Sequence, residues 1–362
     1  MLMTGPLVSF LAFAVALGVL VFVHELGHFV VAKRLGILVQ RFSIGFGPVI
    51  LSHRKGETEY ALSAMPLGGY VKMLGEEDEN DPAVIAEPER AFSTQPARRR
   101  AAIVFAGPAM NFVFAFLVYA ILFATVGAEV PSHEARIGGV TSGMPAEHAG
   151  LKPDDRIVAV DDTPISTWEQ LSQGVLGSQG RRLRLTVERD GSRFTIEVTP
   201  ELKDNRTIFG EDTGRVYRIG IEASRDWTQV SAPRAVLMAA QQTWSASVVV
   251  FKGLLLMVQG RVSPRELGGP IAIARAAGQQ ARAGARYFLT MLAFLSINLG
   301  VLNLLPIPAL DGGHLAFFGI EGLLRRPLRQ RHRELAQQVG LLLLITLMVF
   351  VFYNDIHRLV QG

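Results

Sequence analysis

The chain has 362 residues, of which 49% are hydrophobic and 19% charged, and its net charge is +4 at pH 7. It contains no cysteine, so disulfides and thiolate metal ligands are excluded, and a metal site has to use histidine or carboxylate side chains. The basic residues are scattered rather than gathered on one face with aromatic residues, which argues against binding to nucleic acid.

The first predicted element, residues 1–33, is an apolar segment with no charged side chain before His24. As a helix it is long enough to cross about 30 Å of hydrocarbon. It has neither a basic start nor an A-x-A-like cleavage site. We therefore interpret it as a retained membrane helix rather than a removed signal peptide.

The sequence His24-Glu25-Leu26-Gly27-His28 lies within this apolar segment. Positions i and i+4 of a helix share a face, so the two histidines can bind one zinc ion. Glu25 follows the first histidine and is placed to act as a general base. Ionisable groups at membrane depth are costly, which makes this placement a functional signal.

The next predicted element is a loop, residues 34–100, that contains short strands and glycine turns. Three further apolar segments follow, at 101–128, 287–313 and 335–354, and complete four predicted membrane helices. Basic residues flank the loops 34–100 and 314–334, which indicates that both face the cytoplasm. These residues are Lys33, Arg34, Arg98, Arg99, Arg100, Arg325, Arg326, Arg329, Arg331 and Arg333. The part between the second and third spans then lies outside the cytoplasm.

Residues 129–201 have a higher charge density and short alternating apolar runs. The predicted strands are 157–160, 183–187 and 194–198, and Asp190-Gly191 predicts a hairpin turn between the last two. The stretch 145–157 resembles a PDZ domain of the bacterial protease type, although it has Asp154-Asp155 where Gly-Asp is usual. The resemblance implies that Ile137–Val140 forms an edge that binds an extended peptide or a C-terminus. The alternative is a plug that only excludes large substrates.

Residues 202–286 are predicted to hold further strands and membrane-associated helices. Within them, 235–258 are nearly uncharged, and several arginines follow (Arg261, Arg265, Arg275, Arg282 and Arg286), so a fifth span is an alternative. Polar residues dilute its apolar character: Gln241, Gln242, Thr243, Ser245 and Ser247. We therefore expect a helix that lies on the membrane surface. A fifth span would also move Asp311 to the opposite face from His24.

A catalytic zinc ion usually takes three protein ligands, and the best third candidate is Asp311. It follows Pro306 and Pro308, which interrupt the third span, and precedes Gly312-Gly313. Irregular backbone at membrane depth is tolerated where it lines a cavity. The alternative is that Asp311 only caps the next helix, and His314 ranks below it as a ligand.

Together, H-E-L-G-H in the first span and N-x-x-P-x-P-x-x-D-G-G in a later one resemble the site-2 protease family of intramembrane zinc metalloproteases. The likeness is greatest to the bacterial regulator-of-sigma-E protease branch. It implies that His24, His28 and Asp311 bind Zn²⁺ and that Glu25 is the catalytic base. It also implies that Asn303 holds the substrate or the developing oxyanion.

In similar proteases the loop after the first span forms a β-hairpin that dips toward the active site. The resemblance thus places Gly45, Gly47, Gly68 and Gly69 at a substrate-binding hairpin, where an exposed strand edge would pair with an unwound substrate. The alternative is an ordinary cytoplasmic hairpin. The expected substrates are single-span membrane proteins, such as a trimmed anti-sigma factor, or signal-peptide remnants.

The sequence thus predicts a polytopic α-helical membrane protein of the bacterial inner membrane. It has four transmembrane helices, a membrane-associated β-hairpin and one extracytoplasmic PDZ domain, and its active site lies toward the cytoplasm. One alternative function is a non-catalytic membrane scaffold that binds peptides through the PDZ domain. Another is a metal transporter, which would need further acidic or histidine residues along the spans, and the second and fourth spans have none.

Overall fold

The structure is a computed structural model that describes residues 4–76, 81–206, 212–264, 268–324, 326, 328 and 330–361. Three arginines of the topology argument, Arg265, Arg325 and Arg329, lie outside the described residues. The chain divides into two compact units. One comprises residues 1–122 and 236–362, and the other comprises residues 123–235.

The larger unit is mainly helical and contains one β-sheet. Its elements are α1 (Thr4–Arg34), β1 (Val39–Lys55), β2 (Thr58–Met73), α2 (Pro82–Ala86), a 3₁₀ turn (Pro88–Arg90), α3 (Ala97–Thr125), α6 (Ala232–Val258), α7 (Pro270–Ala283), α8 (Ala285–Asn303), α9 (Asp311–Leu324) and α10 (Gln330–Gln361). The smaller unit holds β3 to β12, α4 and α5, as given below.

Among the described residues, four helices are long and apolar enough to cross a membrane, namely α1, α3, α8 and α10. This agrees with the four predicted spans. Large apolar side chains along them are exposed, for example Leu342 and Val349 of α10 at 65% each, as expected of a surface that faces lipid. Helix α6, which covers the contested segment 235–258, is not in this set.

The boundaries of the later helices differ from the predicted ones. The third span was expected to continue to residue 313, but α8 ends at Asn303 and a separate helix, α9, begins at Asp311. Pro306 and Pro308 lie between them and cannot continue a helical hydrogen-bond ladder. Most of the expected loop 314–334 is therefore helical, and α10 extends beyond the expected 335–354 at both ends.

Helix α7 is held by its two neighbours in the bundle. Its residue Gly278 lies directly against Ser9 of α1, with no room for a Cβ. At its start, the carboxylate of Asp355 in α10 accepts the backbone N–H of Gly269 at 3.0 Å and of Ile271 at 2.9 Å. A carboxylate at a helix N-terminus satisfies otherwise unpaired N–H groups and favours the helix dipole. The last membrane helix is thus fastened to α7, and α7 to α1.

Strands β1 and β2 pair antiparallel, as predicted for a hairpin, but one segment of β1 pairs with two different segments of β2. Residues 41–44 of β1 pair with 59–62 on one side and with 69–72 on the other. The chain can double back because Gly45 and Gly68 adopt φ values of +92° and +151°, which disfavour side chains. The end of β2, residues 69–72, therefore pairs with β1 along one edge and forms the border of the sheet.

The smaller unit is built from short strands around an apolar core. Its elements are β3 (Ala128–Pro131), β4 (Ile137–Val140), α4 (Pro145–His148), β5 (Arg156–Val160), β6 (Thr163–Pro164), α5 (Trp168–Gly177), β7 (Leu183–Arg189), β8 (Ser192–Val198), β9 (Glu201–Arg206), β10 (Asp212–Arg218), β11 (Ile221–Ala223) and β12 (Arg225–Thr228). The order β6-β5-β7-β8 forms a four-stranded sheet. The centre of the core holds the fully buried side chains of Ile157, Leu185 and Val187.

Two strands that follow the expected PDZ boundary at residue 201 belong to the same unit. Strand β11 pairs with β4, and β12 pairs with β3, so the unit closes with residues far from its start in sequence. This pairing also changes the expected peptide-binding edge, because Ile137–Val140 is covered by β11. A groove of about 630 Å³ lies instead beside Ile219–Ile221, which face α5 across it.

The departure from Gly-Asp at Asp154-Asp155 has a structural explanation. Asp154 adopts φ +69°, the left-handed conformation that aspartate tolerates better than most side chains. Asp155 is fully buried and pairs with Arg189 at 2.6 Å. It also accepts the backbone N–H of Lys152, which fastens the turn.

Candidate metal centre

Helix α1 presents His24 and His28 on one face, one turn apart, as the i, i+4 spacing predicts. Both residues are only 9% exposed. Their Nε2 atoms lie 3.2 Å apart, and the rings meet at an interplanar angle of 84°. The two imidazoles therefore point their outer nitrogens at a common point.

Helix α3 packs closely against the face of α1 that carries His24 and His28. A Cβ on Gly27 of α1 would overlap the backbone carbonyl of Ala106, and a Cβ on Gly107 of α3 would overlap the rings of His28 and His24. Two glycines thus let the helices approach closely and leave space beside the imidazoles. The same face of α3 brings the carbonyl oxygen of Ile103 within 2.9 Å of Nδ1 of His28.

Asp311 reaches the same point from the start of α9. The turn that places it runs through Pro306 and Pro308, and Gly312 and Gly313 pack so tightly against its backbone that a Cβ on either would collide. Oδ2 of Asp311 lies 3.1 Å from Nε2 of His24 and 3.7 Å from Nε2 of His28. Asp311 therefore both opens a helix and joins the histidines, so the two interpretations of this residue are compatible.

These three residues fit a zinc ion. Among the described residues, His24, His28 and Asp311 are the group of histidine and acidic side chains whose ligand atoms converge closely enough for a metal. Oδ2 of Asp311 is buried and receives no hydrogen bond, although imidazole nitrogens lie near it, so it is a free acceptor aimed at the cluster. Tetrahedral zinc with bonds of about 2.0–2.1 Å spaces its ligands about 3.3 Å apart, close to the 3.1, 3.2 and 3.7 Å found.

Glu25 lies beside this cluster and contacts the border strand of the sheet. Its side chain lines the same cavity as Val71 of β2. A Cβ on Gly69 would lie only 3.2 Å from Cγ of Glu25, so glycine at this position lets β2 approach α1. The sheet thus brings its border strand, 69–72, to the carboxylate predicted to act as base.

A cavity of about 360 Å³ opens onto the cluster. His24, Glu25, His28 and Asp311 line it together with polar groups. The polar and aromatic lining residues include Tyr70, Glu76, Ser93, Arg100, His314, Phe318, Arg333, Glu334 and Gln337. This mixture of ligand atoms, a carboxylate and a polar mouth is suited to admit water to an otherwise apolar bundle.

The other predicted site residues lie outside the converging cluster. His314 lines the cavity but is outside the converging cluster of described residues. Asn303 is half-buried at the end of α8 and outside the cavity lining. Gly45 and Gly47 lie against Met65, and Gly68 lies against the ring of Phe46, so these three glycines shape the hairpin. Gly69, by contrast, lies beside Glu25.

Two features near the site were not foreseen. Arg100 at the start of α3 pairs with Glu321 of α9 at 2.7 Å, and the Arg100 guanidinium lies 4.6 Å from the centre of the Phe318 ring. Asn111 of α3 is fully buried next to His24. A sequence signal existed for Asn111, because it is an amide within an otherwise apolar span, where polar groups usually have a function.

The fold and this site define a membrane-helix bundle that holds a His₂Asp cluster beside a carboxylate. The model of peptidase family M50 matches residues 12–347. A Mesorhizobium japonicum protein with a provisional zinc metalloprotease name is 38% identical, over 97% of this chain and 98% of its own. The zinc metalloprotease RasP of Oceanobacillus iheyensis is 32% identical, over 96% and 98% of the two chains. A PDZ domain from Listeria monocytogenes matches 26% of this chain and 93% of its own, at 14% identity and a TM-score of 0.20.

The chain belongs to peptidase family M50, the site-2 protease family. It is a zinc metalloprotease of that family, as the combination of H-E-L-G-H with a later aspartate predicted.

Proposed function

We propose that this protein hydrolyses peptide bonds within or beside membrane-spanning segments of its substrates, with zinc held by His24, His28 and Asp311. The observation that carries the proposal is the convergence of three ligand atoms, 3.1–3.7 Å apart, inside a bundle of apolar helices. A protease site at this depth acts on substrates that reach it through the membrane.

When bound, zinc activates a water molecule for attack and polarises the scissile carbonyl. Glu25 takes the proton released during attack and returns it to the leaving amine. Glu25 lines the same cavity as His24, His28 and Asp311, and β2 flanks its side chain at Gly69. The N-terminal face of α3, through Ile103, keeps His28 in the tautomer that offers Nε2 to the metal.

The border strand 69–72 is suited to hold the substrate. A peptide bond inside a helix is poorly accessible, so the substrate has to unwind before it is cut. An unwound segment can add to the border strand of a sheet through main-chain hydrogen bonds. Because β2 passes within contact of Glu25 at Gly69, a paired substrate would lie next to the base. Asn303 is proposed from the family resemblance to hold the substrate or the developing oxyanion.

The smaller unit supplies a second contact for substrates. Its arrangement of short strands with α5 beside a groove is consistent with a PDZ-like domain. Apolar side chains of Met144, Trp168, Leu171 and Val175 line the groove, and Lys203 and Arg218 add positive charge. We propose that it receives an extended peptide or a C-terminus.

The proposed location is the bacterial inner membrane, with the smaller unit outside the cytoplasm and the metal centre toward the cytoplasmic side. The proposed substrates are single-span membrane proteins, such as a trimmed anti-sigma factor, or signal-peptide remnants. The four apolar helices and the basic residues at their ends support this orientation.

The test is the zinc content of the purified protein in detergent and its cleavage of a model single-span substrate, with wild type beside Glu25→Gln. We expect about one zinc per chain in both proteins and cleavage only by wild type, because the amide cannot take a proton. Cleavage by the variant would remove Glu25 from the mechanism. Absence of zinc from both would refute the ligand assignment and favour a peptide-binding scaffold.

A further inference from the structure

The two imidazoles of the metal centre differ in what orients them. Nδ1 of His28 faces the carbonyl of Ile103, which only accepts, so His28 carries its hydrogen on Nδ1 and presents a lone pair at Nε2. Nδ1 of His24 instead lies 3.1 Å from Nδ2 of Asn111. An amide has a donor on one side and an acceptor on the other, so its orientation selects the tautomer of His24.

Ser296 of α8 constrains this amide from the opposite side. Its hydroxyl donates to the backbone carbonyl oxygen of Asn111 at 2.9 Å, while its Oγ lies 3.5 Å from Oδ1 of the same residue. A hydroxyl has one hydrogen, and the backbone carbonyl takes it here. Toward the side chain of Asn111, the Ser296 hydroxyl is therefore an acceptor, which suits the amide NH₂ group rather than the amide oxygen.

We propose that Asn111 is a positioning residue of the metal centre, which accepts the Nδ1–H of His24 through Oδ1 and donates to Ser296 through Nδ2. A half-turn about the Cβ–Cγ bond of Asn111 exchanges the two amide atoms and produces this arrangement. His24 is then held in the tautomer that leaves Nε2 free to bind a metal, as Ile103 already does for His28. The path from His24 through Asn111 to Ser296 joins α1, α3 and α8.

Burial makes this arrangement consequential. Asn111 and Ser296 are fully buried, and His24 is 9% exposed, so solvent does not replace a lost partner. A metal-binding histidine generally donates its second ring N–H to a fixed acceptor, and loss of that acceptor costs about 10- to 100-fold in metal affinity. The proposal rests on the role of His24 as a ligand in the proposed function.

The experiment measures zinc affinity of the full chain in detergent, by competition with a chromophoric chelator. Asn111→Leu keeps the approximate volume but removes the acceptor, and we expect zinc to bind about 10- to 100-fold more weakly. Asn111→Asp keeps an acceptor toward His24, and we expect affinity equal to that of wild type or tighter. Asn298→Leu is the matched control, because the amide of Asn298 in α8 donates to the Phe294 carbonyl of its own helix, and zinc affinity should not change.

Substitution of cobalt for zinc provides a second measurement, because the visible absorption of bound cobalt reports the ligand geometry. The spectrum of Asn111→Leu should differ from wild type, and that of Asn298→Leu should not. Ser296→Ala removes a single oxygen and should weaken zinc binding in the same direction, which keeps the test decisive if Asn111→Leu does not fold.

Wild-type affinity in Asn111→Leu or in Ser296→Ala would overturn the proposal. Equal losses in Asn111→Leu and Asn111→Asp would also overturn it, since the shape of the site rather than its acceptor would then be responsible. Failure of wild type itself to bind zinc would refute the proposed function, an outcome distinct from these.

Discussion

Replacement of Gly107 with alanine adds one methyl group at the point where α3 faces the two imidazoles. The added Cβ would lie 2.9 Å from Cε1 of His24 and nearer still to Nε2 of His28, whereas ordinary contacts begin at 3.4 Å. The His24 ring would have to retreat by about 0.5 Å, and the His28 ring by more, while zinc bonds tolerate deviations of only about 0.2 Å.

Displacement of the two rings should weaken both zinc binding and cleavage. We expect zinc affinity to fall at least about tenfold, and cleavage to fall with it, because both ligands leave their positions. Alanine favours a helix by about 1 kcal/mol over glycine, which offsets part of the about 1–3 kcal/mol that overpacking costs. The expected signature of Gly107→Ala is therefore weak zinc binding in a protein that still folds and melts at most a few degrees below apo wild type.

Chelator competition and thermal melting in detergent, on matched samples, measure these two quantities. Gly18→Ala is the control, because it makes the same exchange inside α1 at a position where a Cβ meets nothing within 4 Å. If Gly107→Ala bound zinc and cleaved substrate like Gly18→Ala, the close contact between α3 and the imidazoles would not govern the metal centre, and the reasoning would fail.

Two further predictions concern stability. Asp355→Ala removes the acceptor for three backbone N–H groups at the start of α7. We expect the free energy of unfolding to fall by about 2–3 kcal/mol, seen as earlier melting, and unchanged melting would deny this contact a structural role. The pKa of Asp161 is lowered because the backbone N–H of Arg184 donates to it, so its stabilisation is present at neutral pH and lost as the pH falls through that lowered value. Asp161→Asn should therefore melt slightly earlier than wild type at pH 7, and this gap should narrow as the pH falls below the ordinary aspartate value. A gap that widened on acidification would contradict this sign.

The sequence predicts the part of the metal centre that local geometry determines. His24 and His28 share a face in any helix, and the two prolines before Asp311 interrupt any span. The convergence of Asp311 with the histidines followed from counting the spans. Each of these inferences uses a rule that acts over a few residues or over the membrane thickness.

The remaining features depend on contacts between distant parts of the chain. Nothing in the local pattern pairs β11 with β4, so the covered edge at Ile137–Val140 could not be foreseen. The two-sided pairing of residues 41–44 depends on where the chain doubles back, and the alternation of strands does not specify this. Asn111 faces His24 only because Gly27 and Gly107 let their helices approach closely.

The order in which these parts are synthesised has a consequence for when the protein becomes active. His24 and His28 emerge early, whereas Asp311 follows the entire smaller unit, and Asp355, which fastens α7 beside α1, emerges later still. A nascent chain with only its first spans in the membrane carries two of the three proposed ligands. With this proposed ligand set, proteolytic competence arrives late in biogenesis, after the smaller unit has been translated.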